Sequence, residues 1–260
     1  MIERRRAPRS AAFFDLDRTL ISGSSAFVLG IAAWRGKLVP TRQFARDALS
    51  AISFALAGAD DDTSIGVRDR ILGAVKDVRI DDLVALNADI VPRLIDRVRP
   101  ESLRLIEQHR QAGRATYIVS ASPVELVEPL AQALGMTAGI GTRSRIVDGR
   151  YTGELEGPFC YAEGKVEAIT AIAQAEGFDL DRCWAYSDSA SDLPMLRAAG
   201  HPVAVNPDAR LAREAATEGW PVVRFHRRTR AVMRRTSQGV AAIGLVSAGF
   251  VGGMRWARSH

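Results

Sequence analysis

From Glu101 onward, short apolar runs rich in β-branched residues alternate with longer amphipathic stretches, and this alternation narrows the fold more than any other feature of the chain. Ala115–Ser120, Cys183–Ser187, Pro202–Val205 and Pro221–Phe225 read as strands, and Ala11–Phe14 as an earlier one. Between them Glu101–Gln111, Pro123–Leu134, Glu163–Ala175, Asp192–Ala199 and Asp208–Thr217 read as helices, with Gly113 and Gly135 as stops for the first two. Gly139-Ile140-Gly141 begins a further short strand, and Val147-Asp148-Gly149-Arg150-Tyr151 carries the Asp-Gly signal of a tight hairpin. Strand–helix alternation predicts an α/β fold with a doubly wound, mostly parallel sheet covered by helices on both faces. Ligands of such sheets bind beyond the carboxyl ends of the strands.

The stretch before this pattern differs. From about Ser24 to Arg99 the spacing is helical throughout. Phe27, Ile31 and Trp34 share one face, and Phe44, Ala48, Ile52 and Leu56 repeat after the start signal Pro40-Thr41. Ala59-Asp60-Asp61-Asp62 breaks the pattern. Ile71, Leu72 and Val75, then Leu83, Leu86, Ile90 and Leu94, mark two more amphipathic segments, the last with Pro92 as a source of a kink. The expected organisation is a core of residues 11–22 and 100–226, an inserted all-helical subdomain at 23–99, and a basic and apolar tail at 227–260.

Composition bounds the partners. The 260 residues are 47% hydrophobic and 25% charged, as in an ordinary globular protein, and the formal net charge is +5. That surplus sits at the ends: Arg4, Arg5, Arg6 and Arg9 in a basic, poorly ordered arm, Met1–Ser10, and Arg224, Arg227, Arg228, Arg230, Arg234 and Arg235 near the other end. The central part is close to neutral, which argues against a nucleic-acid face. Two cysteines, Cys160 and Cys183, form no metal spacing and no disulfide framework, and no secretory signal opens the chain, so the expected setting is cytoplasmic.

The chemistry concentrates after the first strand, in Phe13-Phe14-Asp15-Leu16-Asp17-Arg18-Thr19-Leu20. On an extended chain Asp15 and Asp17 point to the same side. Two such carboxylates need a hard cation, a shared proton, or separation as the chain leaves the strand. Mg²⁺ takes oxygen ligands and suits such a pair. Three further pieces follow in order: Val119-Ser120-Ala121-Ser122, Gly164-Lys165, and Ser187-Asp188-Ser189-Ala190-Ser191-Asp192. A hydroxyl after a strand can bind a phosphoryl oxygen, and a lysine can neutralise charge that builds up in phosphoryl transfer. Asp15, Ser120 and Asp188 each fall at or just past a predicted strand end, so they converge on one edge.

Together these four pieces resemble the haloacid dehalogenase superfamily of phosphohydrolases, in its phosphoserine-phosphatase-like branch, over nearly all of Phe13–Phe225. The resemblance implies a Rossmann-like core with a helical cap inserted after the first motif. It implies that Asp15 is a nucleophile forming an aspartyl-phosphate, and that Asp17 is general acid and then base, its carbonyl also binding Mg²⁺. Thr19 would orient the motif, Ser120 and the backbone near Ala121 would hold phosphate, and Lys165 would pair with Asp15 and the phosphate. Asp188 would ligate Mg²⁺. Asp192 would act at the metal through water, orient Lys165, or cap the following helix. Asn206 and Asp208 follow a strand on the same edge and read as turn chemistry.

Phosphoserine phosphatases of this branch carry a glutamate shortly after the first motif, for the substrate ammonium. Here the stretch is Leu20-Ile21-Ser22-Gly23-Ser24-Ser25, without an acid. Arg35, Arg42 and Arg46 are the candidates for a cap arginine, and Phe27, Trp34, Phe44, Ile52 and Phe54 make the cap apolar, mostly as its own core. Thr236–Met254 lacks charge and is mildly apolar, so residues 227–256 pack on the protein, lie on a membrane surface or cross one. The expected activity is Mg²⁺-dependent hydrolysis of a phosphomonoester, either a small phosphorylated metabolite or a lipid phosphate. Phosphoserine is the alternative substrate, and a non-catalytic regulator binding a phosphorylated ligand or a membrane is the alternative of another class.

Overall fold

The computed structural model describes residues 9–38, 69, 72–73 and 75–225. They belong almost wholly to a compact unit, Met1–Arg224. The expectations for Phe44, Ala48, Ile52, Phe54, Leu56 and Ile71, for Arg42 and Arg46, for the Ala59–Asp62 break and for the 227–260 tail lie outside the described residues.

Strand β1 (Ala11–Asp15) is buried along its whole length, as its unbroken apolar run requires of a strand covered on both faces. It is followed by α1 (Ser25–Arg35), α2 (Ile80–Ala85), α3 (Asn87–Ile95) and α4 (Pro100–Gln111). The alternating half then runs β2 (Ala115–Pro123), α5 (Val124–Ala133), β3 (Ala138–Thr142), β4 (Ser144–Val147), β5 (Arg150–Leu155) and α6 (Glu163–Glu176). It ends with β6 (Trp184–Ser187), α7 (Leu193–Ala198), β7 (His201–Val205), α8 (Ala209–Glu218) and β8 (Val222–Val223).

Six strands form one parallel sheet in the order β3-β2-β1-β6-β7-β8. The order reverses at β1, so the crevice beyond its carboxyl end is the topological switch point where ligands of such sheets bind. The α/β prediction is met, and β4 and β5 make the predicted hairpin. Its turn places Asp148 at φ 49° and Gly149 at φ 73°, the two positive values a tight primed turn demands.

The two faces of the sheet carry different cores. On one, Phe13, Tyr117, Val119 and Ala185 pack with Ile169 and Ile172 of α6 and with Met195 and Leu196 of α7. On the other, Phe14 stacks on Tyr186 with ring centroids 4.5 Å apart, and His109 of α4 meets both rings edge-on. Strand β2 runs on to Pro123, three residues past the predicted end, through a register shift between Val119 and Pro123. Arg9, read as part of a loose arm, is held by a bridge to Phe178.

Helix α1 buries a different face from the one its large side chains suggested. Val28, Ala32 and Ala33 are buried, whereas Phe27 is 57% and Trp34 39% exposed. Small residues let α1 approach its neighbours closely, which turns the aromatic face outward. Leu83, Ile90 and Leu94 are buried as expected, but their stretch is two helices meeting at Leu86 rather than one. Among the described residues, no helix is long and apolar enough to cross a membrane.

Candidate active site

The end of β1 delivers Asp15 into a nearly closed setting beside β2, in register with Val119. Lys165 comes from the first turn of α6, where a cation opposes the helix dipole and needs compensation. It has it. Lys165 Nζ donates to Asp15 Oδ1 at 2.6 Å and to Asp192 Oδ2 at 2.8 Å, with only 3% of the lysine exposed. Burial opposes the lysine's charge, but the two carboxylates outweigh it and hold the ammonium well above its usual range. The approach to α6 is tight: a Cβ on Gly164 would overlap Phe159 O, and Ala162 sits at φ 47°. Glycine before the lysine is therefore a packing requirement.

Asp192 Oδ2 also accepts from Ser187 Oγ at 2.7 Å. Its side chain makes no capping bond to α7, so of the three sequence readings the geometry places it against Lys165. The helix-cap reading is corrected, because the carboxylate turns back toward the stronger, charged donor. Asp188 Oδ1 accepts from Thr19 Oγ1 at 3.4 Å, and its Oδ2 pairs with Arg18 Nε at 2.9 Å. Asp208 performs the turn chemistry expected of it and more. It caps α8 through Leu211 N and clamps the Asp188 loop through Ala190 N. Asn206 takes a positive φ, 44°.

Beyond β2, the register shift frees Ser120–Ser122 from the ladder, as bulges near active sites often do. Ser122 N donates to Ser120 Oγ at 3.2 Å, which leaves the Ser120 hydroxyl proton for another acceptor. Ser122 Oγ meets Ser25 Oγ at 2.8 Å, and Ser25 N donates to Asp17 Oδ1 at 2.6 Å. The sequence reading missed Ser25, Ser122, Ser187 and Arg18. Only Arg18, Ser122 and Ser187 lay inside the motifs quoted, and nothing local marked Ser25.

Asp15, Asp17, Thr19, Ser120, Lys165, Asp188 and Asp192 thus gather at one sheet edge, with Ala121 beside Ser120. Burial raises Asp15 to about 7, Lys165 pulling it back and Asp192 adding to the rise. Burial raises Asp17 as well, against the bond from Ser25. Burial raises Asp188 to about 6, with Arg18 opposing and Asp192 and Asp208 adding. Four carboxyl groups (Asp15, Asp17, Asp188, Asp192) face two cations (Lys165, Arg18), and the upward shifts at Asp15, Asp17 and Asp188 show a cluster short of positive charge. An oxygen donor set of this kind fits a hard divalent cation.

Comparison with known proteins agrees with this geometry. Residues 12–197 match the haloacid dehalogenase-like hydrolase family. A Streptomyces azureus protein named for inhibition of morphological differentiation is 41% identical over 90% of this chain and 84% of its own. A probable phosphatase of Mycobacterium tuberculosis is 39% identical over 92% and 84%, and a phosphoserine phosphatase of that organism 36% over 92% and 75%. Among solved structures, a Bordetella pertussis protein of unknown function superposes with a TM-score of 0.73 at 27% identity, covering 84% of this chain and all but 1% of that one. A phospho-aspartyl intermediate analogue of phosphoserine phosphatase shares the fold, with a TM-score of 0.61 at 21% identity over 88% and 99%. The chain belongs to the haloacid dehalogenase-like hydrolase family and is a phosphomonoester hydrolase of its phosphoserine-phosphatase-like branch.

Proposed function

We propose that this protein hydrolyses a phosphomonoester through phosphorylated Asp15, with residues 23–99 acting as a cap over the site. The observation that carries the reading is the buried Lys165 bridge between Asp15 and Asp192, drawn from three separate segments to the switch point of the sheet. Lys165 donates to Asp15 Oδ1, which leaves Oδ2 the freer oxygen for attack. As the Asp15 O–P bond forms, the bond from phosphorus to the leaving oxygen breaks, and Asp17 gives that oxygen its proton. Water then attacks phosphorus, Asp17 takes its proton, and phosphate leaves with Asp15 restored. Lys165 and the Ser120 hydroxyl offset charge on the transferred group.

Asp15, the Asp17 carbonyl and Asp188 would hold Mg²⁺, with Asp192 supporting through Lys165 or through water. When bound, Mg²⁺ supplies the positive charge this carboxylate cluster and a phosphate dianion both lack. Thr19 Oγ1 and the Asp208 clamp keep Asp188 in place for it.

The substrate is proposed as a small phosphorylated molecule without an ammonium group held at the Ser24 position. Ser24 Oγ accepts from Phe27 N as the cap of α1, and the Arg18–Ser25 loop carries no acid. A lipid phosphate belongs in the test because exposed Phe27 lies on that same first turn. The second reading, phosphoserine, rests on the 36% identical relative of that name. The test is phosphate release with Mg²⁺ or EDTA across phosphoserine, sugar phosphates, histidinol phosphate and micellar lipid phosphates, with Asp15→Asn as control. Metal-dependent release that Asp15→Asn abolishes is the expected result. Release that survives Asp15→Asn would overturn the aspartyl-phosphate route.

A further inference from the structure

Asp17 lies two residues past β1, in an isolated bridge with Ile21 that fixes its backbone but not its carboxylate, yet a general acid must point at the leaving oxygen. The group that does hold it is unexpected: the backbone N–H of Ser25, the first residue of α1, at 2.6 Å. Ser25 is fully buried, and its hydroxyl bonds Ser122, whose own N–H bonds Ser120. One residue of the inserted block therefore touches both the Asp17 carboxylate and the strand end that carries Ser120.

We propose that Ser25 is a positioning residue for the reaction: its N–H aims the Asp17 carboxyl for proton transfer, and its hydroxyl fixes that N–H relative to Ser120. This rests on the phosphomonoesterase reading above, and assigns a role in it to a residue outside the motifs. The first N–H groups of a helix have no partner within the helix, so the Ser25 N–H is free to serve Asp17 without cost to α1. Charge-assisted bonds of this kind are short and strong, consistent with 2.6 Å.

The geometry offers a pair of deletions that separate the two groups. Proline is favoured at the first position of a helix, and the residue before it must be extended. Ser24 already is, at φ −114° and ψ 130°. Ser25→Pro therefore removes the N–H and the hydroxyl together while α1 persists, and Ser25→Ala removes the hydroxyl alone, so the difference between the two variants reports the N–H. Both are measured as kcat/KM on 4-nitrophenyl phosphate, whose leaving group needs little protonation, and on a simple alkyl phosphate, whose leaving group needs it fully.

The expected result is that Ser25→Pro lowers kcat/KM on the alkyl ester by roughly 10–100-fold more than on the nitrophenyl ester, with Ser25→Ala, which lacks the hydroxyl alone, as the reference. Ser25→Ala loses activity equally on both esters. Equal loss by Ser25→Pro on both esters would overturn the proposal, since a merely structural residue has no leaving-group dependence. So would no loss at all, or the same selective loss in Ser25→Ala. If Ser25→Pro does not fold, an amide-to-ester replacement at Ser25, made with the α-hydroxy analogue of serine, removes the N–H and keeps the hydroxyl: selective loss of the alkyl ester upholds the proposal, and equal loss on both esters or no loss overturns it. The wild-type protein and Asp15→Asn on the nitrophenyl ester test the underlying reading separately. Turnover that Asp15→Asn abolishes upholds that reading whatever Ser25→Pro does, and no wild-type turnover overturns both.

Discussion

The two faces of β1 bury polar groups in opposite ways. On the face of Phe13 the buried trio is Asp15–Lys165–Asp192, with the lysine donating to both carboxyl groups. On the face of Phe14 the buried group is His109, which accepts at Nδ1 from Arg114 Nε at 2.7 Å and meets Tyr186 Oη through Nε2 at 2.8 Å. Arginine only donates, so Nδ1 is the acceptor and the ring proton sits on Nε2, donated to the tyrosine. Burial, helped by Arg114, lowers His109 to about 4, whereas the same desolvation is outweighed at Lys165 by two carboxylates. Of these two buried bases, it is the partners and not burial that decide which stays charged. Charge is kept where phosphate chemistry is proposed and discharged where the sheet needs only packing.

That contrast can be broken from the charged side first. Asp15→Asn should abolish turnover, by roughly 10⁴-fold or more, since a nucleophile acts as a unit with its neighbours. Lys165→Met should cost about 10²–10³-fold in kcat/KM, as loss of one charge-stabilising group does. It should also cost about 3–5 kcal/mol in urea unfolding, because Asp15 and Asp192 remain buried without their cation. If Lys165→Met proves as stable as the wild type, the trio is not held together by its charges.

On the neutral side the expected effects are smaller and structural. His109→Leu strands the Tyr186 hydroxyl and Arg114 Nε and should cost about 1–3 kcal/mol, with kcat/KM unchanged. The pH dependence has a definite sign. The folded chain leaves His109 unprotonated down to about pH 4, whereas the unfolded chain takes the proton near the usual 6.5. Between those values the unfolded state binds more protons, so stability falls as pH falls. At about 1.4 kcal/mol per unit the window is worth roughly 3 kcal/mol, and His109→Leu should flatten that part of the unfolding curve. Last, Asp208→Ala should cost about 1 kcal/mol for the lost α8 cap and weaken Mg²⁺ dependence roughly tenfold by releasing the Asp188 loop, read from Mg²⁺ titration of activity.

Much of this site was legible because its signals are local. Asp15, Ser120 and Asp188 end or follow apolar runs whose direction and period are visible in the chain, and the parallel sheet brings those ends together. The hairpin turn at Asp148-Gly149 is equally local, since positive φ selects its residues. Phe27 and Trp34 misled for the complementary reason: spacing shows which residues share a face, not whether that face is covered.

By itself, then, the sequence determined the α/β class, the order of most elements and the chemical inventory at the sheet edge, because backbone period and turn stereochemistry act over a few residues. The tertiary structure alone decided who pairs with whom. Lys165 finds Asp15 across 150 positions, Ser25 finds Ser122 across 97, and Asp188 meets Arg18 from another strand. Those choices follow from how closely helices pack on the sheet and from the desolvation that results, and neither quantity exists until distant segments meet.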